Sequence, residues 1–231
     1  MIVPARPDDS ASAAVRRVSR QLKPNRRTEP VQNRIFTSHK PLTIMQTITR
    51  PITYQAFREM EFEEHELREF IFELIDGEVV PRNYPTASHQ RILAELHLII
   101  GGHVKANQLG QVLFAPFGVV LDDFDDVQPD LTFVTAAKQE IIREDGIFGV
   151  PDLVVEIISP SSIRTDRGKK FRLYERMNVF EYWIVDINNR SIEVYQRQES
   201  GYELTSFATG QGEVESVVLT GLQVAVDELF T

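Results

Sequence analysis

Cysteine is absent from the 231 residues, which rules out disulfides and any cysteine-ligated zinc or iron–sulfur site. A metal, if the chain uses one, must be held by oxygen or histidine. No uninterrupted apolar run approaches the roughly 18–20 residues that a membrane-spanning helix needs, and the first residues lack the apolar core of a signal peptide. The expectation is a soluble cytoplasmic protein with no membrane partner. Basic charge is also in deficit, and a net charge of −9 argues against general affinity for nucleic acid.

That charge is unevenly spread. Residues 1–50 hold ten Lys/Arg against three Asp/Glu, a balance of +7, whereas residues 51–231 hold 15 against 31, or −16. The first segment has few large apolar residues and no sustained period, so residues 1–44 are expected to form a disordered basic tail. Two readings of the tail stand side by side: a nucleic-acid arm, or an overlong start, since Met45 opens a stretch resembling an ordinary N-terminus. Residues 45–231 are expected to bury one core and form one domain.

The chain is organised around the stretch from Gly149 to Tyr195. Its run PDLVVEIIS is apolar enough for a buried strand yet carries Asp152 and Glu156. Burying carboxylates is costly unless a cation pairs with them. Alternation along a strand puts both acids on one face. After the turn SPSS, Thr165-Asp166 opens a helix on which Asp166, Lys170 and Tyr174 fall four residues apart, along one side. Two carboxylates and an ammonium so arranged suit metal-dependent hydrolysis.

Around this core, TYQAFREMEFEE reads as a short helix and FIFELIDGEVV as two strands turning at Asp76-Gly77. Ser88 to Ala106 carries Ile92, Leu93, Leu96, Ile99, Ile100 and Val104 at helical spacing. His89 stands at the start of that helix, where it could face a site, although a lone histidine is more often a surface or capping residue. GVVLD and VQPDLTFV read as strands joined by a solvated acidic turn, DDFDD, which lacks the ligand spacing of a calcium loop. Asp130 is placed inside the second strand, on the face of Thr132. FEYWIVDI and RSIEVYQ form a pair joined at Asn188-Asn189, with GYELTSF and EVESVVL continuing an antiparallel edge. Tyr182 and Trp183 are expected in the core. The fold class is α+β: helices on a mixed central sheet with an antiparallel C-terminal extension.

The motifs QPDLTFV, PDLVVEIISPSS, TDRGKKFRLY and NVFEYWIVD, preceded by FELIDGEVV and ASHQ, resemble in kind and order the Uma-two family of bacterial restriction endonucleases, within the PD-(D/E)xK nuclease superfamily. The resemblance runs from about Pro51 to the C-terminus. It implies a restriction-endonuclease-like fold, with Asp130 and Glu156 as the paired acids. The lysine usually found two residues after the glutamate is replaced by Ile158, and the family's aspartate–lysine spacing matches Asp166 and Lys170. Glu73 and His89 match recurrent family positions, and Tyr174 another, read as structural.

The implied activity is metal-dependent hydrolysis of DNA. Asp130, Glu156 and, by resemblance, the backbone carbonyl of Ile157 would hold Mg²⁺ or Mn²⁺, which favour hard oxygen ligands. Lys170 would orient or deprotonate water and stabilise phosphoryl charge. Asp152 is either a supporting or second-metal acid, or a residue that opens the strand. Arg164, Arg167, Lys169 and Arg172 form a basic patch that could hold a DNA backbone, although a helix face of mixed charge is the commoner explanation. Cutting both strands favours a homodimer. A second function class stays open: a catalytically silent nucleic-acid-binding or accessory protein, with the acids held by Lys170 as an internal salt bridge. A third is a hydrolase of small phosphodiesters.

Overall fold

The structure is a computed structural model and describes residues 51–230, so the expected tail, residues 1–44, lies outside the described residues. Helices α1 (Tyr54–Arg58) and α2 (Glu64–Glu69) come first, α1 starting at Thr53, whose hydroxyl accepts the Ala56 N–H. Strands β1 (Phe70–Ile75) and β2 (Glu78–Asn83) pair antiparallel across Asp76-Gly77. Both turn residues have positive φ, 53° and 70°, as the expected two-residue turn requires. Helix α3 (Ala87–Asn107) is capped by Thr86, and its residues Ile92, Leu93, Leu96, Ile100 and Val104 are buried. It runs through Gly101-Gly102 because its apolar face stays packed.

Next come β3 (Gly110–Phe114), β4 (Val119–Asp122), β5 (Asp125–Val127), β6 (Leu131–Thr135), a 3-10 turn (Ala136–Ile141), β7 (Ile142–Arg143) and β8 (Gly146–Phe148). DDFDD is a tight β4–β5 hairpin whose turn, Asp122 to Phe124, is solvent-exposed as expected, but its second half is not. Asp125 is fully buried, accepting the Asp76 N–H at 2.7 Å and a bond from Arg176 at 2.7 Å. Asp130 lies just ahead of β6, not inside it: the Pro129–Asp130 approach bends before the ladder with β3 begins at Leu131.

All six residues of β9 (Leu153–Ile158) are buried. It pairs antiparallel with β6 and parallel with β10 (Glu181–Asp186). A parallel neighbour needs a crossover. Here the crossover is a π-helical turn, Thr165–Lys170, running into α4 (Phe171–Arg176). Then follow β11 (Ser191–Gln198), β12 (Gly201–Thr209), β13 (Glu213–Glu215), β14 (Gln223–Ala225) and α5 (Val226–Leu229). The central sheet has the order β12-β11-β10-β9-β6-β3, and a second sheet the order β2-β1-β5-β4-β8-β7. As expected, β12 continues the antiparallel edge, whereas β13 leaves the central sheet to pair with β14. The α+β class and the mixed central sheet are as expected.

Alternation along β9 assigns its two faces. Leu153, Val155 and Ile157 pack with Trp183 against α3. Val154 and Ile158 pack with Tyr182, Leu173 and Tyr174 on the side of α4. Glu156 falls between Val154 and Ile158 and so turns its carboxylate towards α4.

Candidate active site

Glu156 is fully buried, and its Oε1 accepts hydrogen bonds from Lys170 Nζ at 2.9 Å and Tyr174 Oη at 2.7 Å. Lys170 Nζ also donates to Glu73 Oε1 at 2.9 Å, and Asp166 Oδ1 lies 3.9 Å from the same ammonium. The helix supplies Asp166, Lys170 and Tyr174 to one place, as their four-residue spacing predicts. The π turn matters here. Phe171 N–H reaches back to the Asp166 carbonyl, one residue further than in an α-helix, and this wider turn brings both Asp166 and Lys170 inward.

Asp130 completes the cluster from the other side of β9. Its Oδ2 accepts the Ile157 N–H at 2.7 Å and a bond from His89 Nε2 at 3.0 Å, while Oδ1 makes a close ion pair with Arg82. Arg82 also donates to the Gln128 carbonyl at 2.7 Å, and its Nη2 lies 3.9 Å from Glu156 Oε2. The Gln128 N–H donates to Glu73 at 2.8 Å.

The two acids at the centre are driven apart in acidity. Burial pushes the Glu156 carboxyl up to about 8, against the pull of Lys170. Burial acts the same way on Asp130, but Arg82, His89 and the Ile157 N–H outweigh it and hold Asp130 down at about 2. Burial raises Asp166 too. For Lys170, burial favours the neutral amine, yet Glu156 and Glu73 outweigh it and keep the side chain protonated.

The structure therefore brings together Asp130, Glu156, Lys170, Glu73, His89 and Asp166, with Ile157 beside them on β9. His89 is neither surface nor cap: Thr86 caps α3, which frees the imidazole to turn inward. Tyr174, expected to be structural, donates directly to Glu156. Asp152 stands apart at the opposite end of the strand, where it accepts the Thr135 N–H at 2.8 Å and pairs with Lys138 at 2.6 Å. It opens the strand. Of the basic patch, Arg167 is clamped by Glu193 at 2.7 and 2.8 Å and Lys169 pairs with Glu78 at 2.6 Å, while Arg164 and Arg172 are exposed.

Arg82 was not among the expected residues, although a signal for it exists. The turn at Asp76-Gly77 pairs Glu73 with Val80, and two residues on from Val80 lies Arg82, on Glu73's face. A cavity of about 190 Å³ opens onto Glu73, Arg82, His89, Ile157 and Asp166. Asp130, Glu156 and Lys170 lie behind that lining.

As placed, no three acidic or histidine side chains among the described residues converge closely enough to hold a metal. The donor set nonetheless fits a hard divalent ion. Four buried carboxyl groups, Glu73, Asp130, Glu156 and Asp166, face only two cations, the part-buried Arg82 and the buried Lys170. Glu156 Oε2 and Asp166 Oδ2 have no partner. Unfilled oxygens, and a Glu156 carboxyl that burial keeps protonated for want of a further cation, are what an oxygen-ligated divalent ion would satisfy.

A mixed sheet with paired acids and a buried lysine at one edge of its central strands defines a nuclease-like fold. Residues 54–227 match the Uma2 family, described as "Putative restriction endonuclease", and the chain belongs to that family. It is 24% identical over 184 residues to "Uncharacterized protein slr1290" of Synechocystis sp., covering 78% of this chain and 90% of that one. A crystal structure described as "a putative nuclease belonging to DUF820", from Anabaena variabilis, superposes with a TM-score of 0.62 at 19% identity, covering 78% of this chain and 98% of the other. Among the described residues, no helix is long and apolar enough to cross a membrane.

Proposed function

We propose that the protein is a metal-dependent endonuclease that hydrolyses DNA phosphodiester bonds. The observation that carries this reading is the Lys170 ammonium, buried and shared at 2.9 Å by Glu156 and Glu73, with Asp130 beside it and a cavity in front. Asp130, Glu156 and the Ile157 carbonyl would hold Mg²⁺ or Mn²⁺. When bound, that ion supplies a Lewis acid for the phosphoryl oxygen and lowers the pKa of attacking water.

The chain's own groups do the rest. Lys170 stays protonated, so it orients the water and balances charge on the transferring phosphoryl group instead of taking a proton. Tyr174 fixes the Glu156 rotamer through Oε1 and leaves Oε2 available. His89 and the Ile157 N–H hold Asp130 in place. Arg164 and Arg172, exposed beside the site's helix, would meet the DNA backbone, and a homodimer would place two sites on opposite strands.

The test is incubation of the protein with plasmid DNA in Mg²⁺, Mn²⁺ or EDTA, repeated with E156Q. Cleavage that needs the divalent ion and disappears in E156Q supports the assignment; cleavage by E156Q at the wild-type rate overturns it. One observation favours a silent accessory protein instead: Arg82 already neutralises Asp130. A protein that fails to bind Mn²⁺ would belong to that class.

A further inference from the structure

Arg82 separates the acids from the cavity. Its guanidinium pairs with Asp130 Oδ1, lies 3.9 Å from Glu156 Oε2 and from Glu73 Oε1, and lines the cavity that neither Asp130 nor Glu156 reaches. It is anchored at only one further point, the Gln128 carbonyl, and its side chain keeps 15% exposure where Lys170 has none. Lys170 is locked in the protein; Arg82 has a way out. Glu156 Oε2, the oxygen of Glu156 that faces it, has no hydrogen-bond partner.

On the basis of the metal-binding reading above, we infer that Arg82 is a two-position residue: it is the resident cation of the acid pair in the empty site, and it holds substrate phosphate once a divalent ion has taken that place. A guanidinium and a divalent ion cannot both lie between Asp130 and Glu156, since each needs the same carboxylate oxygens. Apparent metal affinity is then reduced by the fraction of molecules in which the arginine has left. Leaving takes it into the cavity it already lines. There its planar fork suits two oxygens of a phosphate, a geometry that lysine does not reproduce.

The test compares the full-length wild type with R82M and R82K. Mn²⁺ affinity, read by calorimetry on protein stripped of metal, is expected to tighten roughly tenfold or more in R82M, because a competing positive charge is gone. The melting temperature of metal-free R82M should fall, and Mn²⁺ should raise it by more than it raises the wild type. With an oligonucleotide substrate, R82M should raise KM, and R82K should recover the metal competition but little of the KM. Equal or weaker Mn²⁺ binding by folded R82M overturns the inference while leaving the metal site standing. An unchanged KM overturns the phosphate-holding position. Failure of both proteins to bind Mn²⁺ overturns the metal reading and the inference with it. Should R82M not fold, the wild type decides: the ¹⁵N guanidinium resonance of Arg82, identified by its loss in R82K, must move when Mg²⁺ is added, and a resonance that stays put overturns the inference.

Discussion

Glu156 and Glu181 are both completely buried glutamates on neighbouring parallel strands of one sheet, and they have opposite surroundings. Glu181 accepts from Trp183 Nε1 at 2.6 Å, Ser216 Oγ at 2.7 Å and the backbone N–H groups of Val217 and Val218 at 2.6 and 2.8 Å. Both its oxygens are used, by neutral donors. Glu156 spends one oxygen on Lys170 and Tyr174 and leaves the other without a partner. A carboxylate saturated by its own fold pins the C-terminal extension against β10. One left half-satisfied amid like charges is held for something else.

The largest separation between the two should come from removing each. Glu181→Ala strands four donors and is expected to cost about 3–5 kcal/mol, enough to lower the melting temperature sharply. Glu156→Gln should change stability by less than about 1 kcal/mol, because the neutral amide stands in for a carboxyl that burial already keeps protonated in the metal-free protein, while abolishing cleavage. Equal melting temperatures for the two variants would break the contrast.

Next in size is the lysine. Lys170→Ala should reduce cleavage by about 100-fold or more while leaving Mn²⁺ binding measurable, since even an error of ~1 Å at a catalytic group has that effect. Lys169→Ala, whose partner Glu78 lies at the surface, should cleave at close to the wild-type rate. Adding Ile158→Lys to Lys170→Ala should restore part of the activity, because Ile158 shares Glu156's face.

A smaller effect concerns pH. The Glu156 carboxyl, ordinarily near 4.5, sits at about 8 in the folded protein, so the folded state binds a proton that the unfolded state has released. Metal-free stability should be full below about pH 4.5 and fall as pH rises towards 8, with Mg²⁺ flattening the slope. Asp130, lowered to about 2 from 3.8, contributes in the opposite sense and only below that window. Denaturant unfolding at pH 6 and pH 8 with and without Mg²⁺ reads the sign; greater metal-free stability at pH 8 contradicts it. Smallest of all, Asp152→Asn should cost about 1 kcal/mol or less, given its half-exposed lysine partner, and leave cleavage unchanged.

Much of this was legible in the sequence because period and turn chemistry are local. The β1–β2 hairpin follows from Asp76-Gly77, α3 from its apolar repeat, and the helical line of Asp166, Lys170 and Tyr174 from spacing alone. Asp152 and Glu156 illustrate the limit: a shared strand face does not make a shared site, because four residues along a strand span roughly 13 Å. Asp152 meets Lys138 from a separate turn, a pairing with no local signature. Arg82 needed one further step of register across the hairpin. His89 needed knowledge of what α3 packs on, and the departure of β13 from the sheet depended on the long-range grip of Glu181.

The π turn ahead of α4 means that the site is set by the length of the chain as well as by its side chains. A Cβ added at Gly168 would meet nothing within 4 Å, so substitution there should be harmless, whereas its deletion would close the turn to an α-helix. The wider turn that carries both Asp166 and Lys170 inward would be lost, and the two would stand three residues apart instead of four. In such a segment one codon lost in frame does more damage than most codons changed.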